Sequence, residues 1–246
     1  MGLARGSQRS KWGRLAVAAV GLGLSFALAA PAQAQPLPMP PVPPSPSPTT
    51  PGQPRLSDPS VVNYAVLSEE QVGRILDARM TWERFFNSPY VPYTVDNAAC
   101  NNYAGIGLPE VFNDPGLAAF RGADTMTGPN NDTHFTRQVV GVYGTVDQAD
   151  WAFRRVSDRT FGCSGQTTTV HYDTGESKTW TYTRGPSTAT DAAWFAQRQS
   201  GPNRQCYFET RRRQNVLLQA MVCEAGNAGP SVNALATAMQ NMLFQQ

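Results

Sequence analysis

Residues 205–223, QCYFETRRRQNVLLQAMVC, decide the fold because they encode a β-hairpin with a cysteine near each end. Two runs of β-forming residues flank the turn dipeptide Gln214-Asn215. Counting outward from the closing pair Arg213–Val216 sets Cys206 opposite Cys223. That position is a non-hydrogen-bonded pair, where side chains on neighbouring strands come closest. The sequence therefore predicts a hairpin whose two strands are cross-linked by a Cys206–Cys223 disulfide.

The chain contains four cysteines, so the same register also decides the second pair. Four cysteines allow three connectivities, and pairing Cys206 with Cys223 leaves Cys100 with Cys163. An even cysteine count behind a secretory leader is typical of disulfides formed in an oxidising compartment. The alternative is a catalytic thiol, which would need an unpaired cysteine beside a basic partner.

Residues 1–34 have the pattern of a signal peptide. A basic head precedes an apolar run from Leu15 to Ala30, which is short for a membrane-spanning helix and rich in small residues. The small residues at Ala32 and Ala34 then match the pattern that signal peptidase cleaves, so we expect a mature start at Gln35. The alternative is an uncleaved membrane anchor.

Residues 35–60 form a proline-rich linker that holds 11 of the 20 prolines in the chain. Each proline fixes φ and removes a backbone donor, which favours extended polyproline II over helix or sheet. We interpret the linker as a semi-rigid spacer; the alternative is a ligand for proline-binding modules. The folded domain is then expected over residues 61–246, which is one domain in size.

Hydrophobic periodicity predicts three helices and six strands in the folded part. Ser68–Gln71 and Thr145–Gln148 are capping boxes that begin two helices, and Pro230 fits the start of a third. The helices are predicted over 68–79, 146–159 and 230–244. The strands are predicted over 134–143, 166–172, 178–183, 192–199, 205–211 and 216–223. Residues 80–132 show few periodic signals and are predicted as long ordered loops with a short helix near 115–120.

Strands joined by short links, with helices interspersed, favour an α+β fold. We expect an antiparallel β-sheet of about five or six strands, flanked by helices and stabilised by two disulfides. Three helices cannot cover both faces of such a sheet, so one face is expected to stay partly open.

Composition excludes several functions. Removing the four basic residues of the leader leaves 16 basic against 18 acidic residues, without the clustered basic footprint of a nucleic-acid binder. Two histidines and no closely spaced cysteine pair argue against a zinc site, so we expect no metal and no cofactor. The sequence has no Gly-x-Ser-x-Gly elbow, and only a convergence of histidine, carboxylate and hydroxyl groups would favour a hydrolase.

The order of these motifs resembles the extracellular sensor domain of mycobacterial PknH-type serine/threonine kinases. The resemblance covers about 61–246 and rests on the helix start at Leu67, Ser68 and Val72, on Cys100-x-x-Tyr103-Ala104-Gly105, on Phe161-Gly162-Cys163, on Trp180 and on the Cys206…Cys223 hairpin. It implies an antiparallel sheet flanked by helices, two sequential disulfides and a cleft proposed to bind an unknown ligand.

The sequence therefore predicts an exported, non-enzymatic, sensor-like domain, either secreted or associated with the cell envelope. We expect a cleft between the 80–132 segment and the open sheet face, with Arg137, Tyr143, Trp180 and Trp194 as candidate ligand-binding residues. The expected partners are an unknown small ligand or an envelope component, with a protein partner in the envelope as a further interpretation. The alternative is a structural or protein-interaction domain of the envelope without a small ligand.

Overall fold

The computed structural model describes residues 55–128, 131–158, 162–201 and 203–244. The predicted signal peptide and most of the predicted linker lie outside these residues. The backbone N–H of Ser57 donates to Asn215 Oδ1 at 2.8 Å. Asp58 then caps a short 3₁₀ helix, Pro59–Val61, that leads into the domain.

The described residues form five α-helices around one antiparallel sheet of nine strands. The helices are α1 (Val62–Ala65), α2 (Glu69–Leu76), α3 (Pro109–Phe112), α4 (Val146–Ser157) and α5 (Gly229–Phe244), and a 3₁₀ helix spans Ala98–Tyr103. The strands are β1 (Trp82–Phe86), β2 (Tyr93–Val95), β3 (Leu117–Gly128), β4 (Asn131–Tyr143), β5 (Thr167–Tyr172), β6 (Ser177–Ser187), β7 (Asp191–Arg198), β8 (Arg204–Arg213) and β9 (Val216–Ala225). Their order across the sheet is β1-β3-β4-β9-β8-β7-β6-β5-β2.

The sheet must be strongly curved, because its two edge strands are joined by only six residues. β1 and β2 form opposite edges, and residues 87–92 connect them. Seven residue steps span at most roughly 25 Å, whereas the edges of a flat nine-stranded sheet would lie about 38 Å apart. The link crosses over β4, where the Tyr90 hydroxyl accepts a hydrogen bond from Arg137. A link this short can cross only the concave side, which identifies the face that carries Arg137 as the concave face.

Alternating residues of the central strands build a separate core on each face. On β4, Val139 and Tyr143 belong to the concave core, whereas Val140 and Val142 belong to the convex core. Residues of α4 and of the 98–112 segment fill the concave core. Residues of α1, α2 and α5 fill the convex core, and α5 packs on β8 and β9. The convex side of β5 and β6 lies beyond these helices and carries polar side chains.

The expected strand number was wrong, because the predicted loop segment 80–132 contributes three further strands. They are β1, β2 and the twelve-residue β3, which replaces the helix predicted near 115–120. β3 has an unusual composition for a buried strand, since Gly122, Ala123 and Asp124 all have low β propensity. Its Asp124 is nevertheless 1% exposed and pairs with a buried arginine, so a tertiary contact outweighs the local preference.

The hairpin register, both disulfides and both capping boxes are confirmed. Arg213 pairs with Val216, and Cys206 pairs with Cys223, as counting from the turn predicted. Disulfides join Cys206 to Cys223 and Cys100 to Cys163. The reciprocal cap hydrogen bonds are present at the start of α2 and at the start of α4.

Candidate functional site

The four predicted ligand-binding residues lie on the concave face, and all of them are buried. Arg137, Tyr143, Trp180 and Trp194 are at most 4% exposed. The Trp194 indole donates to the carbonyl of Tyr103 at 3.0 Å and stacks on Phe208. The 98–112 segment covers Tyr143 and Trp194 instead of bordering an open cleft above them, and Phe86 and Tyr90 cover Arg137. A ligand-binding role for the four residues stays a prediction.

Arg137 belongs to a buried charge cluster between β1, β3 and β4. It donates to both carboxylate oxygens of Asp124, at 2.6 and 2.9 Å, in a bidentate ion pair. Arg84 donates to the same carboxylate at 2.6 Å, and the Tyr90 hydroxyl contacts all three charged groups. Burial opposes the charged form of Arg137, but the Asp124 hydrogen bonds and charge prevail and raise its pKa. The pKa of Tyr90 is also raised, chiefly by burial.

A groove of about 870 Å³ lies at the β2 edge of the sheet. Its walls come from β2, the 3₁₀ helix Ala98–Tyr103, α3 and the residues that follow α4. They are apolar at Val91, Tyr93, Val95, Ala98 and Ala99, and polar at Thr94, Asn101, Asn102, Glu110 and Asp158, with Gly162 completing the lining. A smaller cavity of about 460 Å³ lies beside α2. Neither cavity is lined by any of the four predicted residues.

The Cys100–Cys163 disulfide holds two walls of the groove together. Its sulfur atoms join the 3₁₀ helix to the segment after α4, and both cysteines are fully buried. Next to Cys100, Asn102 is 6% exposed, and its Oδ1 has no hydrogen-bond partner among the described residues. A buried acceptor without a partner is unusual in a folded protein. The groove therefore has an apolar surface, and one of its lining residues carries a buried acceptor that the described residues leave unsatisfied.

A histidine, a carboxylate and a hydroxyl converge on the convex face at the same edge. His171 Nδ1 lies 2.8 Å from Ser177 Oγ, and His171 Nε2 lies 2.9 Å from Asp96 Oδ1. The pKa of Asp96 is lowered chiefly by its hydrogen bond with His171. The His171 and Asp96 side chains are 45% and 64% exposed, so water competes for these contacts. Neither cavity includes His171 or Ser177.

Two features are missing from the described part of the chain. Within it, no group of three or more His, Cys, Asp or Glu side chains is placed to hold a metal ion. In the same residues, no helix is both long enough and apolar enough to cross a membrane.

One curved antiparallel sheet, with helices on both faces and two disulfides, defines a disulfide-bonded α+β domain of the extracytoplasmic type. The family model described as PknH-like extracellular domain matches residues 57–241, and the chain belongs to this family. The family and the disulfides place the domain outside the cytoplasm.

A solved structure shows the same fold. The crystal structure of the extracellular domain of PknH from Mycobacterium tuberculosis aligns with a TM-score of 0.70 and 16% sequence identity. The alignment covers 78% of this chain and 99% of that chain. No curated protein matches the sequence. The match to the family model confirms the expected family.

The sequence did not predict the groove, because its lining residues come from four separate elements and do not recur at a regular spacing along the chain. The one usable signal was Cys100, which Ala98, Ala99, Asn101 and Asn102 surround. Small residues and amides beside a disulfide leave space that larger side chains would fill, so this run is the sequence feature that could have indicated a concave surface.

Proposed function

We propose that this domain is a non-enzymatic, sensor-like module that binds a small amphipathic ligand in the β2-edge groove. The observation that carries the proposal is the groove itself, because its volume of about 870 Å³ is that of a small-molecule site. Apolar walls at Val91 and Val95 suit a hydrocarbon or ring surface. The polar lining residues Thr94, Asn101 and Glu110 suit polar groups on the same ligand. The sensor role itself rests on the family.

Filling the groove is expected to abolish ligand binding. Ala99 is exposed and lines the groove, so Ala99→Trp places an indole in the space without replacing a core residue. The neutral apolar dye N-phenyl-1-naphthylamine is the probe. We expect its fluorescence to rise with the unmodified protein and to stay near the buffer value with Ala99→Trp, because the site is occupied by protein.

The matched control is Ala234→Trp, which adds the same side chain at an exposed position of α5 outside the groove. It should bind the dye like the unmodified protein. Equal dye fluorescence with all three proteins would show that the dye binds elsewhere and would remove the groove as the site. Native mass spectrometry of the naturally exported protein and of both variants should then find a copurified ligand lost only from Ala99→Trp.

A hydrolase is a second candidate, because His171 contacts the Ser177 hydroxyl with one ring nitrogen and the Asp96 carboxylate with the other. In such an arrangement the serine Oγ attacks an acyl or phosphoryl centre while the histidine takes its proton and the carboxylate orients the ring. A fluorophosphonate probe tests this directly, because an activated serine displaces the fluoride and becomes phosphonylated. If the triad is active, labelling should disappear in Ser177→Ala and persist in Ser200→Ala, an exposed serine outside the triad. Absence of labelling in the unmodified protein would exclude a hydrolase of this type.

A further inference from the structure

The convex side of β5 and β6 carries a two-dimensional array of hydroxyl groups. Val170, Trp180 and Tyr182 point into the concave core, so the residues between them point the other way. We call the resulting surface the hydroxyl face, which consists of Thr167, Thr169, Ser177, Thr179, Thr181 and Thr183. These side chains are exposed or half-buried.

The hydroxyl groups are aligned in rows across the two strands. Thr167 pairs with Thr181, and Thr169 pairs with Thr179, in the strand register. Their hydroxyl oxygens lie 2.6 Å and 3.3 Å apart, respectively. The Thr167–Thr181 pair uses one donor and one acceptor, which leaves a further donor and further lone pairs available. The Thr169 hydroxyl also hydrogen-bonds the Asp96 carboxylate, so the Thr169–Thr179 pair offers lone pairs. The rows repeat about every 7 Å along the strands and the columns about every 5 Å across them.

The charge and the neighbours of the hydroxyl face limit what can bind it. The convex positions of β5 and β6 include no Lys, Arg, Asp or Glu, and their one ionisable side chain, His171, is paired with Asp96 at the β2 edge. A charged ligand would therefore find no unpaired counter-charge along the threonine rows. A protein interface usually has an apolar core, which these hydroxyl rows do not provide. Beside Thr183 on the next strand, Phe195 stacks on Tyr207 with ring centroids 5.2 Å apart. This half-buried pair is an aromatic surface at the border of a neutral, hydrogen-bonding array.

We propose that the hydroxyl face binds a neutral polysaccharide. Such a polymer repeats uncharged hydroxyl groups that both donate and accept, which is the property the face itself has. The aliphatic C–H side of a sugar ring can lie against the Phe195–Tyr207 pair. The face lies on the opposite side of the sheet from the concave core and is independent of the groove. A polysaccharide could therefore anchor the domain while the groove stays accessible.

Affinity gel electrophoresis tests this proposal with the full folded domain. Native gels are cast with and without dextran, yeast mannan, arabinogalactan or hydroxyethyl cellulose, and the mobility ratio is measured. We expect retardation by at least one of these neutral polymers. Thr179→Ala with Thr181→Ala removes two hydroxyl groups and should weaken the apparent affinity by roughly tenfold. Thr181→Glu, which adds a carboxylate without a partner, should abolish the retardation.

The control is Ala234→Glu, which adds the same charge on the exposed side of α5 and should be retarded like the unmodified protein. Circular dichroism confirms that each variant is folded. No retardation of the unmodified protein by any of the four polymers would overturn the proposal. Retardation that survives both Thr181→Glu and the double alanine variant would also overturn it, because binding would then lie elsewhere.

Discussion

Replacing both cysteines of the Cys100–Cys163 disulfide with alanine is expected to lower the free energy of unfolding by about 4 kcal/mol. The bridge joins residues 63 positions apart, so it removes a large loop-closure entropy from the unfolded chain. Both cysteines are fully buried, so the missing sulfur atoms also leave a small cavity. Urea unfolding of the unmodified and doubly substituted proteins measures the difference.

The Cys206–Cys223 bridge provides the internal comparison. Its cysteines are 17 positions apart, for which the same entropy argument gives about 3 kcal/mol. The two disulfides also differ in their surroundings. Cys206 and Cys223 sit in a hairpin whose ladder of hydrogen bonds also fixes its register, whereas Cys100 and Cys163 join elements that share no strand pairing. We therefore expect only the Cys100–Cys163 variant to lose the dye-binding groove. A larger loss of stability, or loss of dye binding, in the Cys206–Cys223 variant would contradict this account.

Local signals predicted the parts of the fold that local contacts hold together. The capping boxes at Ser68 and Thr145 involve residues three apart, and the 205–223 hairpin closes on itself, so neighbouring sequence was sufficient. β1 is different, because it pairs with β3, which lies about 40 residues further along the chain. β3 forms a hairpin with the adjacent β4, but its low-propensity residues are stabilised by the charge cluster at Asp124, which no local pattern reports. These contacts explain the strands missed in residues 80–132.

The candidate site illustrates the same limit. Trp194 and Tyr143 were reasonable ligand-binding candidates, because aromatic residues on strands often border clefts. Their alternation predicted correctly that they share one face, but it carried no information about what covers that face. Tyr103 and Phe112, on the segment predicted as a loop, pack against this face. The groove forms farther out, where that segment meets β2 and the end of α4.

The second large effect is expected at the buried ion pair of Asp124 and Arg137. Asp124→Ala leaves the Arg137 guanidinium buried without its carboxylate. We expect this to lower the free energy of unfolding by roughly 3 to 5 kcal/mol. The Arg137 side chain is 5% exposed and the Asp124 side chain 2% exposed, so water cannot replace the lost partner without opening β1 or the 87–92 link. The measurement is urea denaturation at neutral pH.

Two further variants separate the destabilisation caused by an unpaired buried charge from the net contribution of the ion pair to stability. Arg84 contacts the same carboxylate, but its side chain is 52% exposed, so Arg84→Met should cost less than about 1 kcal/mol. The double variant Asp124→Leu with Arg137→Met replaces both charges with apolar groups and should recover most of the loss seen with Asp124→Ala. If the double variant is as unstable as Asp124→Ala, the cluster contributes net stability through its hydrogen bonds to Tyr90 and Arg84. If Arg84→Met costs as much as Asp124→Ala, the exposed arginine, rather than Arg137, is the essential partner of this carboxylate.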